Sequence, residues 1–324
     1  MRIRSALTLS LGVLLLSSCA AKSNSAITPA TDGVSYIHSQ DMPSFELASV
    51  AAKAGGTATD YLGKPVIVKD PSRIISVASG AAEIVAALGL THNLVGRDIA
   101  SEAASTAGVP VVTDAHAVSV EKVLAQKPTL FIVDAQTSPT QALDAIARSG
   151  VQVIQIPQAW SLSEVQPRIT ALGQALGVRQ QAEQLNTQLS FTAAKPTKVR
   201  VAFLYLRGPS SIYLLGGKGS GADAMIAAAG GIDIGTEAKL NPFTPLTPEA
   251  LAKGQPDVLL VMTKGLQSVG GLSGLLSLPG VAQTPAGIHK RVIAVDDGLL
   301  LAFGVDTKNL VNALQVALNN VSGS

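Results

Sequence analysis

Short apolar runs alternate with helix-patterned segments twice along this chain, and that alternation limits what it can fold into. Leu130-Phe131-Ile132-Val133 follows Lys127-Pro128, and Val258-Leu259-Leu260-Val261 follows Pro256-Asp257. Runs this short, with no polar face, predict strands buried on both sides, as in a parallel sheet. Around the first run lie further strands at 73–77, 94–96, 109–112 and 151–156, with helices at 81–88, 119–124 and 139–148. Ser119 reads as an N-cap, and Gly89 and Gly150 as stops. A second set follows, with strands at 199–206, 258–262 and 291–295 and helices at 222–229, 268–277 and 307–321. Strands and helices in turn predict βαβ units on mostly parallel sheets.

Between the two sets, Leu162, Val165, Ile169, Leu172, Leu176, Ala182, Leu185 and Leu189 return at helical spacing. Gly173 and Gly177 weaken the pattern, so one kinked helix or two abutting helices fit it. The expected fold class is therefore α/β: two Rossmann-like lobes joined by a long backbone helix. Residues 1–18 read as a signal peptide, 19–64 as a tether and N-terminal extension, and 65–160 as the N-terminal lobe. The linking helix region takes 161–197, and the C-terminal lobe with a terminal helix takes 198–324. A short helix is expected near 44–52, and Tyr36 and His38 read as solvated.

The N-terminus sets the compartment. Met1-Arg2-Ile3-Arg4 is basic, and the apolar stretch 6–16 is far too short for a permanent membrane span. It ends Leu16-Ser17-Ser18-Cys19, which resembles a bacterial lipobox and implies export, cleavage before Cys19 and acylation there. Cys19 is the only cysteine, so an intrachain disulfide and a cysteine-based metal site are both excluded. Net charge is +2, with no basic cluster beyond 195–200, which leaves nucleic-acid binding without an electrostatic footprint. The glycine-rich GGKGSGADA is neither a dinucleotide fingerprint nor a P-loop, and HExxH and G-x-S-x-G are absent. The chain is not expected to be an enzyme.

Tyr205 and Arg207 stand two apart at the carboxyl end of the strand 199–206, so their side chains share a face. Open α/β sheets meet ligands outside the carboxyl ends of their strands. His116 precedes the helix that starts near Ser119, and on its own reads as a surface loop histidine or as part of that helix's start. His92 reads as a turn residue, and His289 as a weaker reserve.

PSRIISVASGAAEIVAALGLTHNLVGRD (71–98), VSVEKVLAQKPTLFIVD (118–134), GGKGSGADAMIAAAGG (216–231) and LPGVAQTPA (278–286) carry a family likeness. The chain resembles lipoproteins of the helical-backbone periplasmic-binding-protein family (class III), which serve ABC importers of haem, siderophores and cobalamin. Within the family it is most similar to the actinobacterial haem-binding branch. There a Tyr from one lobe and a His from the other meet the ferric iron, and an Arg two residues after the Tyr bonds the phenol oxygen. The resemblance implies that Tyr205 and His116 are metal ligands for a b-type haem carried as cargo, and that Arg207 supports Tyr205. Residues 97–112 hold no Tyr, which removes the version of the site that uses a first-lobe tyrosine.

The chemistry agrees with this assignment. Ferric iron is hard and phenolate is a hard anionic ligand, which a neighbouring guanidinium favours. Leu206, Ile212, Tyr213, Leu215 and Trp160 are the expected apolar lips. The resemblance further implies an ABC permease partner docked through Glu121 and Asp223, haem-donating surface proteins, a monomeric state and a lipid anchor on the outer face of the cell membrane. A ferric siderophore or cobalamin in the same fold, or a surface module that does not transport, are the alternatives at this point.

Overall fold

The computed structural model describes residues 28–29, 33–114, 117–191 and 194–322. Its first lobe is built on a six-stranded sheet ordered β4-β3-β10-β9-β5-β6. These are β3 (Thr57–Asp60), β4 (Pro65–Ile67), β5 (Ile74–Ser76), β6 (Leu94–Arg97), β9 (Leu130–Val133) and β10 (Gln152–Gln155). The four strands β10, β9, β5 and β6 run parallel, and β3 with β4 forms an antiparallel hairpin on the edge. Helices α1 (Ala81–Val85), α2 (Val120–Ala125) and α3 (Thr140–Arg148) alternate with them, and a separate two-stranded ribbon pairs β7 (Thr113–Asp114) with β8 (Ala117–Val118). Ser119 caps α2 as expected, its hydroxyl accepting from the Lys122 amide.

The strand expected at 109–112 is reduced to a single bridge between Arg97 and Val111. Pro110 has no N–H to give to a ladder. The Arg97 guanidinium instead ties down the segment through the carbonyls of Thr106 and Val109.

The second lobe carries an eight-stranded sheet, ordered β1-β2-β16-β15-β11-β12-β14 with β13 beside β11. Its strands are β1 (Thr28–Pro29), β2 (Val34–Ile37), β11 (Arg200–Arg207), β12 (Ile212–Gly216), β13 (Ile232–Asp233), β14 (Phe243–Pro245), β15 (Val258–Met262) and β16 (Val292–Val295). Strands β2, β16, β15 and β11 are parallel, while β12 and β14 return antiparallel. The tether reading is thereby corrected for 33–64. Strand β2 sits inside the second-lobe sheet, Tyr36 stacks on His38, and His38 pairs with Asp296 at 3.1 Å. No helix forms at 44–52. The segment crosses to the first lobe, where Leu47 and Val50 donate to the carbonyls of Ala87 and Gly89, and on to the linking region, where Lys53 donates to that of Leu176.

The linking region resolves into two helices. α4 (Val165–Ala175) and α5 (Arg179–Gln188) are parted at Gly177, which has φ 69°. They pack so closely that a Cβ on Gly173 would lie 2.4 Å from that of Ala182. Later helices are α6 (Ala222–Ala228), α7 (Ile234–Glu237), α8 (Pro248–Gly254), α9 (Thr263–Ser268), α10 (Gly271–Leu276), α11 (Pro285–Ile288), α12 (Asp297–Leu300) and α13 (Thr307–Ser322). The single helix expected at 268–277 is broken by Gly270 at φ 90° into α9 and α10.

The fold is thus a mixed α/β structure of two lobed sheets joined by helices. One apolar core runs through both lobes: Ile74, Ile132 and Ile154 from the first sheet, Phe203, Leu260 and Val295 from the second. Leu172 and Leu185 of the linking helices and Leu310 and Leu314 of α13 belong to it as well. The outer face of each sheet has a smaller core of its own.

Candidate functional site

Strand β11 ends with Tyr205-Leu206-Arg207, and the alternation of strand side chains divides them. Leu206 points into the outer core of the second lobe at 1% exposure, whereas Tyr205 is half-buried on the inner face. The register with β12 pairs Tyr205 with Leu214 and Arg207 with Ile212, so these four share a face. Two corrections follow for the expected lips. Leu206 and Leu215 are core residues, and Tyr213 packs on the outer core beside Leu206. Ile212, at 41% exposure, remains available, and Trp160 keeps 37% of its surface while lying against Gly221 of the second lobe.

Arg207 Nε donates to the Tyr205 hydroxyl oxygen at 3.2 Å, and its Cζ stands 4.8 Å from the Tyr205 ring centroid. A rigid guanidinium plane thus touches both the ring and the oxygen of one phenol. Phe243 of β14 meets the same ring edge to face at 5.6 Å and is itself 37% exposed. Sequence reading missed Phe243 because β14 reaches the site only through its pairing with β12. It also missed Asp297, which lies 3.5 Å from Arg207 Nη1 and opens α12 two residues after strand β16. An acidic pair, Asp296-Asp297, at a strand's carboxyl end was the available signal.

His116 lies outside the described residues, between the ribbon strands β7 and β8, and Cys19 also lies outside them. His92 is engaged with Ser49 on the first lobe, and His289 closes α11. Glu121 is exposed in the first turn of α2. Asp223 instead turns both oxygens onto the glycine loop before it, accepting from the amides of Gly219 and Gly221.

Near Asp297 the two lobes touch. Gly298 packs so tightly on the first lobe that a Cβ there would fall 1.6 Å from the Ala100 carbonyl oxygen. Lys264 Nζ crosses to Glu102 at 2.9 Å. Behind this contact lie several buried ionisable groups. Burial, reinforced by the charge of Asp98, pushes the Glu83 carboxyl up to about 8, and burial also raises Asp98. Ser101 bonds Asp98 and lies 3.2 Å from Glu83. Asp306, which lines the same small cavity as Glu83, is pushed up to about 6 by burial. Arg168 is fully buried, donates to the Ala302 carbonyl at 2.8 Å, and is lowered to about 10 by desolvation.

Among the described residues no cluster of His, Cys, Asp or Glu is arranged to hold a bare metal ion. No helix among them is long and apolar enough to cross a membrane. Residues 74–299 match the family model for periplasmic binding proteins. The chain belongs to the periplasmic binding protein family. This is a family of ligand-binding transport proteins and not of enzymes.

The binding protein is similar to the heme binding protein HmuT, at 30% identity and a TM-score of 0.77 over 88% of this chain and 97% of HmuT. It is similar also to the periplasmic heme-binding protein RhuT from Roseiflexus sp. RS-1, at 36% identity and a TM-score of 0.70 over 78% of this chain and 99% of RhuT. A curated relative, an uncharacterized ABC transporter substrate-binding lipoprotein (YvrC) of Bacillus subtilis, is 27% identical over 253 residues, 74% of this chain and 77% of that protein. HmuT has been solved with alanine in place of a histidine, of a tyrosine, and of an arginine two positions beyond that tyrosine.

Proposed function

We propose that this protein captures ferric haem outside the cytoplasm and hands it to an ABC permease. The observation that carries the reading is the Tyr205 hydroxyl, bonded by an arginine two residues on and set at a strand end beside the contact of the lobes. Its residue types and spacing match the tyrosine and arginine replaced in HmuT. The surroundings fit the ligand: Phe243, Ile212 and Trp160 offer partly exposed apolar surface to a flat macrocycle. The phenol offers the hard oxygen that ferric iron prefers. His116 is the second iron ligand in this reading, from the first lobe, as in the His/Tyr site of actinobacterial members. The cargo is a b-type haem.

The same reading places the protein as a monomer at the membrane through acylated Cys19, receiving haem from surface proteins. It docks on the permease through Glu121 and Asp223. Asp223 would present its glycine loop as much as its charge, since both its oxygens are already engaged.

Titrating the purified protein with ferric haem tests the reading. Wild type should give a Soret band and high-spin charge-transfer bands. Tyr205→Phe should lose the charge-transfer bands and most of the affinity, more than His116→Ala does, because water can replace an imidazole more readily than a charged phenolate. A Tyr205→Phe spectrum and affinity equal to wild type would defeat the assignment. A chromophore of corrinoid or hydroxamate type in the native ligand would replace haem with another cargo.

A further inference from the structure

We infer that Asp297 is a positioning residue for Arg207, and acts through it on the tyrosine that meets the iron. The inference rests on the haem reading above. In the second-lobe sheet, β16, β15 and β11 are parallel neighbours, so their carboxyl ends open on one side. Tyr205 and Arg207 lie at the end of β11, and Asp297 follows the end of β16. Its carboxylate spans the gap. Oδ1 lies 3.5 Å from Arg207 Nη1, and Oδ2 accepts from the Lys264 amide at 3.0 Å.

An arginine stem is long and rotamer-rich, and Arg207 is partly exposed. One hydrogen bond to a phenol, taken by itself, gives a guanidinium the freedom to pivot about the bonded nitrogen. The planar fork removes that freedom once a second nitrogen is held, because fixing Nη1 fixes the direction in which Nε–H points. Asp297 is suited to hold it, being only 11% exposed and gripped from the other side by the backbone of α9. Its neighbour Asp296 is fixed in turn by the Ser39 amide at 2.8 Å, the Thr263 hydroxyl at 3.1 Å and His38. Gly298 is seated on the Ala100 carbonyl of the first lobe. The charged group that orients Arg207 is therefore itself anchored on three sides.

A purely structural role would also explain the bond to Lys264, so stability does not separate the two roles. The spectrum of the iron does. The experiment compares wild type, Arg207→Ala, Asp297→Asn, Asp297→Ala and the double variant Arg207→Ala/Asp297→Ala, each loaded with ferric haem. It records the charge-transfer bands and the rate of haem loss to apomyoglobin. Arg207→Ala should shift the bands and speed loss by about tenfold, the scale of one charge-assisted hydrogen bond. Asp297→Ala should shift the bands in the same direction, with loss within about threefold of that variant. The double variant should be no worse than Arg207→Ala alone, the non-additivity of a residue acting through another.

Asp297→Asn keeps an acceptor for the Lys264 amide and carries the test if the alanine variant misfolds; it should fall between wild type and Asp297→Ala. Wild-type bands and loss rate in Asp297→Asn, or additive effects in the double variant, would overturn the inference while leaving the haem reading standing. A Tyr205→Phe complex identical to wild type would instead bring down that reading and the inference with it.

Discussion

Glu83 shows how one residue records the tension at the lobe contact. It is buried at 5% exposure beside Asp98, and its carboxyl is pushed from 4.5 up to about 8. A raised carboxyl means that the folded protein holds a proton which the unfolded chain releases. Stability from this group is therefore full below the ordinary value of 4.5 and is lost as pH rises towards about 8. Each pH unit of that window is worth on the order of 1.4 kcal/mol. Glu83→Gln, which keeps the shape and removes the titration, should flatten the profile and raise the melting temperature at pH 8 above wild type. Melting curves between pH 5 and 8 provide the check, and a flat wild-type profile would refute the assignment. Asp306, raised to about 6, adds a smaller decline at the lower end of the same range.

At the scale of elements, the contact between the loop after β6 and the start of α12 determines how closely the lobes approach. Gly298 has no room for a methyl group, since backbone would meet it and no flexible side-chain tip could yield. Gly298→Ala should force the loop carrying Ala100 away, at a cost of roughly 1–3 kcal/mol typical of overpacking. It should also lengthen the reach from Lys264 to Glu102, whose exposed ion pair is itself worth only about 0–1 kcal/mol. Denaturant melts of Gly298→Ala and Lys264→Ala distinguish the two: the glycine variant should be clearly destabilised, and the lysine variant nearly neutral. Equal midpoints would mean that the lobes accommodate the methyl group by sliding.

For the whole molecule, the shared core and the crossing N-terminal segment join the lobes at more than the linking helices. Ile37 of β2 is fully buried in that core, and the chain after it bonds to first-lobe carbonyls. A core continuous across both lobes predicts one cooperative unfolding transition, and modest closure when ligand enters. Ile37→Ala should lower stability by roughly 2–5 kcal/mol and keep that single transition. Two resolved transitions, in wild type or variant, would show that the lobes unfold independently.

The chain by itself determined the α/β class, because short apolar runs such as Leu130–Val133 and Val258–Met262 admit little besides buried parallel strands. It also determined that Tyr205 and Arg207 share a face, since a strand's side chains repeat every second residue. Local chemistry was enough for the Ser119 cap, and for the break that Gly177 permits in a helical pattern. Tertiary structure decided what depends on pairing between distant segments. The register of β12 on β11 turned Leu215 and Tyr213 away from the site, and β14 brought in Phe243. Residues 33–64 lack a strong pattern of their own, and β2 became a strand because the edge of β16 was there to pair with it. Asp297 reached Arg207 because β16 and β11 lie two places apart in one sheet, a neighbourhood that strand order creates and no local spacing encodes.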